Sequence, residues 1–329
     1  MATKLRGLSS SLRHLLVFGS FLSTPIAWAE ARPKELFPSS PVIQRQVDFW
    51  ERIFTEFKSN EFVLHDRDNL AVIIGSIKVP YDINAKARNM DLPIISPDDE
   101  IESYRQALRR FVSEGPSARL KGKREQEIWN AYVKKNAHRS LLTGKAVLRV
   151  QGGLADTFYA ASQRAELYLP LMEKIFRQAR LPTDLTRIVF VESMFNLKAR
   201  SKVGASGFWQ LMPGTARDYI KVTRTRDERN SPLIATRAAA GVLRSNYNAL
   251  EAWPLAVTAY NHGPGGMKRA MAKLKTKDLS EIILLYDSPS FGFASRNFYS
   301  EFLAATKVHR ELVEQPALSR VAGENPDKG

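Results

Sequence analysis

Apolar residues along this chain recur mostly at helical spacing. Ser40-Pro41 predicts the start of a first helix, with the serine as N-cap and the proline in the first turn. Val42, Val47, Phe49, Trp50, Ile53, Phe54 and Phe57 supply its apolar positions. The run EFVLHDRDNLAVIIGSIKVP, residues 61–80, is rich in β-branched and aromatic residues and predicts a β-hairpin turning at Asp66–Asn69. Helical spacing resumes over Pro97–Val112 and Arg124–Lys135. Ser113–Lys123, with Gly115, Pro116 and Gly122, reads as a loop between them.

From about Gly152 the pattern is strongly helical. Phe158, Leu167, Leu169, Leu171, Met172 and Ile175 suit core positions up to Ala179. Leu181-Pro182 breaks that pattern, and Asp184 is placed to cap the next helix. A glycine-rich turn at Gly204–Gly207 follows. Further helices are predicted from Ser231-Pro232, over Trp253–Tyr260, Glu281–Tyr286 and Asn297–Val308. The predicted fold class is mostly α, with one small β element in the N-terminal part. The expected division is a leader at 1–29, an accessory part at 30–150, a second, helical domain at 151–312 and a polar tail at 313–329.

The leader expectation rests on the first segment. Lys4, Arg6 and Arg13 precede a short apolar run from Leu15 to Ile26, and Ala27-Trp28-Ala29 has the small-x-small form of a cleavage site. Its removal would take away three basic residues and no acidic one, so the mature chain stays basic. With 329 residues, 44% of them hydrophobic, the chain can bury a sizeable core in about two domains. The formal charge of +15 suits an acidic polymer or an anionic surface. Nucleic acid is the weaker partner, because zinc-finger spacing, ribonucleoprotein aromatics and a dense basic helix are all missing. The sequence has no cysteine, which excludes disulfides and thiol catalysis. His65, Asp66 and Asp68 follow no metal-ligand spacing, and turn chemistry explains them more simply. No metal or cofactor is implied.

One position conflicts with its surroundings. Leu185, Ile188, Val189, Glu192 and Phe195 fall on one helical stripe, and Glu192 sits within it. Glutamate is seldom buried unless paired. In an apolar setting its proton is held more tightly, as an acid for glycosidic cleavage requires. A structural Glu192 paired with Arg187 or Lys198 explains the stripe as well. Gly204-Ala205-Ser206-Gly207 permits close backbone approach to a ligand but matches no phosphate-binding loop. Trp209 and Gln210 come next, offering a stacking face and an amide. Tyr260-Asn261 stands before His262-Gly263-Pro264, where His262 reads best as a turn residue. Asp218, Asp227 and Glu228 are the carboxylates near enough in sequence to assist.

Taken together, VESMFN, GASGFWQLMPGTA and AYNHGPGG, in that order, resemble the motifs of the soluble lytic transglycosylase family, which is goose-type-lysozyme-like; the nearest type is membrane-bound lytic transglycosylase D. The resemblance is dense from about Leu181 to Ala270 and implies a lysozyme-like catalytic domain in the periplasm. It implies Glu192 as the single acid and base. Ser193, Gln210, Met212, Tyr260 and Asn261 would line the sugar cleft. Where relatives carry Arg-Asn-Tyr in the last helix, this chain has Arg296-Asn297-Phe298-Tyr299, so Phe298 and Tyr299 are both candidates for that place. The implied partner is the peptidoglycan glycan strand, with room for a cell-wall or envelope protein complex. A hydrolytic muramidase and a non-catalytic wall-binding protein are the alternatives on the same scaffold.

Overall fold

The computed structural model describes residues 35–80 and 97–314. The leader expected at 1–29 lies outside the described residues, as does the tail expected at 313–329 apart from Val313 and Glu314, which continue the last helix.

α1 (Pro41–Thr55) starts where its cap pair predicts, with Ser40 Oγ accepting from the Ile43 backbone N–H at 3.3 Å. Ile43, Val47, Trp50, Ile53 and Phe54 form its buried face. The hairpin is present as β1 (Glu61–Asp66) and β2 (Ile73–Lys78), paired antiparallel with an irregularity at Leu64/His65. Asp66 holds the turn: Oδ1 accepts from the N–H groups of Asp68 and Asn69, each at 2.8 Å, and Oδ2 accepts from Tyr132 Oη at 2.6 Å. These bonds are turn chemistry of the expected kind.

α2 (Asp98–Glu114), α3 (Lys123–Lys134) and α4 (His138–Leu142) follow. The expected loop at 113–123 is shorter than predicted. α2 runs on to Glu114, and a 3-10 turn occupies Gly115–Leu120. Gly115, at φ 64, ends the helix, and Pro116 sits in the first turn of the 3-10 segment, where its missing N–H costs nothing. A strand the sequence reading did not include, β3 (Leu148–Gly152), pairs antiparallel with β1 and makes the sheet order β2-β1-β3.

The remainder is helical: α5 (Ala155–Glu166), α6 (Leu169–Gln178), a 3-10 turn at Thr183–Arg187, α7 (Ile188–Ser193), α8 (Pro213–Arg217), α9 (Pro232–Leu250), α10 (Trp253–His262), α11 (Pro264–Leu274), α12 (Leu279–Leu285) and α13 (Phe293–Glu314). Ala235, Ala238 and Ala239 on α9 are buried, which lets α9 pack closely against α10 and α6. α13 is the spine: α1, α7 and α10 all pack on it.

Among the described residues, the chain from Phe37 onward is one compact unit containing two apolar clusters. The smaller joins the sheet to α2, α3 and α4. The larger joins α1 to the helices after residue 155. The apolar clusters therefore divide the chain differently from the expected boundary at 150, because α1 packs with the later helices. Trp50 fixes this contact, donating Nε1–H to Asn297 Oδ1 at 3.2 Å. Among the described residues, no helix is long and apolar enough to cross a membrane.

Candidate active site

The helix through Glu192 is shorter than its stripe suggests. Asp184 makes no cap bond; Thr183–Arg187 is a 3-10 turn, and α7 has only six residues. The stripe survives this change. Leu185, Ile188, Val189 and Phe195 are buried, while Glu192 keeps part of its surface open to solvent. α7 ends abruptly, because Met194 and Phe195 take left-handed backbone angles, φ 50 and φ 53. Such angles are costly for side chains of this size and persist where packing dictates them. Phe195 is fixed against Phe190, with ring centroids 4.8 Å apart, and the Met194 carbonyl accepts from Arg164 Nη2 at 2.9 Å.

This arrangement leaves Glu192 at the end of a short helix, poorly hydrated and without an ion pair among the described residues. Arg187 bonds Glu173 instead. The carboxyl is pushed up to about 8, first by burial and then by the charge of Glu301. The structural pairing with Arg187 or Lys198 is therefore not the reason for this glutamate. Among the described residues Asp227 and Glu228 are engaged elsewhere: Asp227 with Arg229, and Glu228 with Arg226 and the Lys221 N–H. Both carboxyls are held low by those bonds, and Asp218 is exposed.

A stability consequence follows from the sign of the Glu192 shift. Folding tightens this carboxyl's hold on its proton relative to the ordinary 4.5. Its favourable contribution is complete below pH 4.5 and is lost as pH rises through about 8. Glu192→Gln removes the charge that must otherwise be held there. At pH 8 the variant should melt above wild type, by about 2–4 °C for each kcal/mol recovered. The gap should close towards pH 4.5. Scanning calorimetry across this range checks it; a gap independent of pH would mean the carboxylate is well solvated.

The glycine turn is pinned to α7. Ser193 Oγ donates to the Phe208 carbonyl at 2.8 Å. Gly207, at φ 74, has no room for a side chain, since a Cβ would lie 2.1 Å from the Arg229 carbonyl. Arg229 is the anchor that sequence reasoning missed. It donates to Asp227 on two nitrogens, and its Nη1 donates to the carbonyls of Gly204 and Leu211 at 2.7 and 2.9 Å. Gln210, at φ 44, places its amide nitrogen on the carbonyls of Ala199 and Gly207, so that nitrogen braces the turn. Met212 is 42% exposed at the start of α8.

Trp209 corrects an expectation. It is 0% exposed, stacks on Phe176 at 5.6 Å and donates Nε1–H to Thr236. It is a core residue and offers no face to a sugar. Its carbonyl matters more, because it accepts from Tyr260 Oη at 2.8 Å. Tyr260, near the end of α10, lies within range of the Glu192 charge, and burial together with that charge keeps its phenol protonated. Phe298 lies parallel to Tyr260, at 6.3 Å and 11°. Tyr299 turns away and donates to the Pro38 carbonyl at 3.0 Å. Phe298 therefore keeps the ring beside Tyr260 and lacks the hydroxyl; Tyr299 does not replace it. Asn261 is exposed, and its Oδ1 accepts from Ser295 Oγ at 2.8 Å. His262, expected in a turn, is instead the last residue of α10, and it packs against Phe291 where Gly266 leaves space for its ring.

The structure thus brings Glu192, Ser193, the Gly207–Gln210 turn, Tyr260 and Phe298 together, and it retires Trp209 and Tyr299 as contact residues. A separate cavity of about 1080 Å³ lies between α1, the hairpin turn and α12–α13, lined in part by Arg45, Arg52, Arg67 and Phe293, and does not include Glu192. Glu301 is the other residue the sequence reading did not reach. The signal was available, since Phe298, Glu301, Ala305 and Val308 repeat the same apolar stripe interrupted by a glutamate.

Residues 173–283 match the family model described as the transglycosylase SLT domain. Among individual proteins, the chain is similar to membrane-bound lytic murein transglycosylase D of Escherichia coli strain K12, 33% identical over 119 residues, which is 36% of this chain and 26% of that protein. The corresponding protein of Escherichia coli O6:H1 matches equally. The chain thus spans about a quarter of the length of these relatives. Two solved structures are similar in part. The 70 kDa soluble lytic transglycosylase of Escherichia coli gives a TM-score of 0.37 at 20% identity, over 66% of this chain and 32% of that one. The lytic transglycosylase Slt of Pseudomonas aeruginosa gives 0.38 at 17%, over 72% and 38%.

Proposed function

We propose that this protein is a peptidoglycan lytic transglycosylase. It cleaves the β-1,4 bond between N-acetylmuramic acid and N-acetylglucosamine without water and leaves 1,6-anhydromuramyl ends. The observation that carries the reading is Glu192, a carboxyl with no ion pair among the described residues whose hold on its proton is raised to about 8 by its buried setting. The match of residues 173–283 to the transglycosylase domain supports it.

In this reading Glu192 gives its proton to the glycosidic oxygen as the bond to muramyl C1 breaks. The carboxylate left behind takes the proton of the muramyl C6 hydroxyl, which closes onto C1. One carboxyl is first acid and then base, and the proton count returns to its start. Ser193 and Arg229 hold the glycine turn that is pinned to α7. Gln210, Met212, Tyr260 and Asn261 are the residues proposed to line it. Residues 30–150 are an accessory part in this reading, and the protein works in the periplasm on glycan strands, where the basic surface suits an acidic wall polymer.

A hydrolytic muramidase, which would need a second carboxyl acting on water or on the sugar, is the alternative reading. Mass spectrometry of fragments released from purified sacculi separates the two. Anhydro ends, lighter by one water, are the expected product; reducing muramyl ends would replace the first reading with the second.

A further inference from the structure

Tyr260, Asn261 and His262 close α10, and Gly263, at φ 84, turns the chain into α11. Helix and turn fix their backbone, and the three side chains find separate uses. Tyr260 donates to the Trp209 carbonyl beside the glycine turn. Asn261 and His262 both meet one residue of α13, Ser295. Ser295 Oγ lies 2.8 Å from Asn261 Oδ1 and 3.3 Å from His262 Nδ1. Ser295 is buried, whereas Asn261 is exposed. Ser295 and Phe298 stand at i and i+3 on α13, so one face of this helix meets both Asn261 and the Tyr260 ring.

The serine hydroxyl has one proton to give, and the histidine decides where it goes. The His262 ring packs edge-on against Phe291, with centroids 5.0 Å apart. Its Nε2 lies against Gly266, where a Cβ would stand 2.4 Å away, and is buried without a hydrogen-bond partner among the described residues. Burial and the charge of Arg269 hold the imidazole below its ordinary 6.5, outweighing the Ser290 backbone, which favours a proton on the ring. A neutral ring carries a single N–H. A buried N–H without an acceptor is costly, so the proton belongs on Nδ1, where Ser295 Oγ accepts it. The serine proton then goes to Asn261 Oδ1. With that oxygen engaged, the amide nitrogen is the end left over, and no group among the described residues accepts from it.

We infer that Ser295 is a positioning residue: fixed by His262 Nδ1–H, it holds the Asn261 amide oxygen inward and leaves the amide nitrogen outward as a donor to a sugar oxygen. The reverse orientation, with the nitrogen donating to Ser295, would present an acceptor instead. Gln210 shows the converse arrangement. Its nitrogen is spent on the carbonyls of Ala199 and Gly207, so its oxygen is the end left over. The two amides of the site therefore offer opposite polarity, one donor and one acceptor. That the Asn261 nitrogen meets a glycan strand rests on the proposed function; the proton arrangement behind it does not.

The arrangement is tested first without substrate. Nitrogen-15 NMR of the full chain near neutral pH, with His262 assigned by comparison with His262→Gln, should show the Nδ1–H tautomer; an Nε2–H tautomer overturns the inference. Binding tests the rest. A pentamer of N-acetylglucosamine is titrated by calorimetry into Glu192→Gln, which should leave it uncut. In that background Ser295→Ala should weaken binding about three- to tenfold, the range for one hydrogen bond. Asn261→Asp keeps an oxygen for Ser295 and loses the donor, and it should weaken binding at least as much. In the presence of Asn261→Ala, Ser295→Ala should cost nothing further, because the serine acts only through the amide. Asn261 is exposed, so Asn261→Asp keeps the measurement available if Ser295→Ala fails to fold. Equal losses with and without the Asn261 amide, or Asn261→Asp binding as tightly as its parent, overturn the inference. A pentamer that does not bind, together with wild type that leaves sacculi intact, would sink the proposed function, while the His262 tautomer still decides the arrangement.

Discussion

Glu192→Gln should slow the release of soluble fragments from purified sacculi by about 10²–10⁴-fold, the range for losing a positioned general acid. Glutamine fills the same volume and keeps a carbonyl oxygen, so α7, the left-handed turn at Met194–Phe195 and the Ser193 bond to Phe208 are retained. What disappears is the proton that the leaving oxygen must receive and the base that must then take one back. Binding of glycan strands to the variant should be largely preserved, because the proposed cleft residues are untouched. The same substitution is expected to raise thermal stability at pH 8, so loss of activity cannot be ascribed to unfolding. A variant digesting sacculi at the wild-type rate would remove Glu192 from the chemistry.

Arg229→Met should cost about 3–5 kcal/mol of folding free energy, the range for breaking a buried pair from one side. Arg229 is 6% exposed. Its loss strands the carbonyls of Gly204 and Leu211 and leaves Asp227 without its cation. Methionine fills much of the volume but donates nothing. Arg229 keeps the Asp227 carboxyl below its ordinary 3.8. This part of the stability is therefore present above pH 3.8 and is lost as pH falls below it, so the gap between variant and wild type should narrow in acid. Urea unfolding at pH 7 and at pH 3 measures both terms. A cost under about 1 kcal/mol, typical of an exposed pair, would mean that the glycine turn is held by other contacts.

Much of the fold was readable because local chemistry was unambiguous. Ser40-Pro41 carried a cap and a first-turn proline, and Pro232 alone marked the start of α9, since the Ser231 side chain makes no cap bond; both starts were placed correctly. Asp66–Asn69 had turn chemistry between two β-rich runs. β3 escaped because five residues with Arg149 and Gln151 on alternate positions carry too little apolar signal alone; only β1 beside them makes them a strand. The stripe through Glu192 was readable although the helix was not, since burial depends on which side chains face the core and survives the change from α to 3-10. Trp209 was misread for a physical reason. An indole after a glycine turn looks the same in sequence whether it meets solvent or Phe176, and the deciding partner lies in another helix. Arg229 appeared as one more charge in a polar run. Its value comes from carbonyls that only the folded turn points at it. Glu301 shows in the sequence as a glutamate on an apolar stripe, but that its charge reaches Glu192 depends on α13 packing against α7, which has no local signature.

The claim that Glu192 works without water is tested most directly by digesting purified sacculi in water labelled with heavy oxygen and weighing the released fragments. An intramolecular attack by the C6 hydroxyl takes no oxygen from the solvent. The account predicts anhydromuramyl ends of unlabelled mass. Reducing muramyl ends carrying one heavy oxygen each would contradict it.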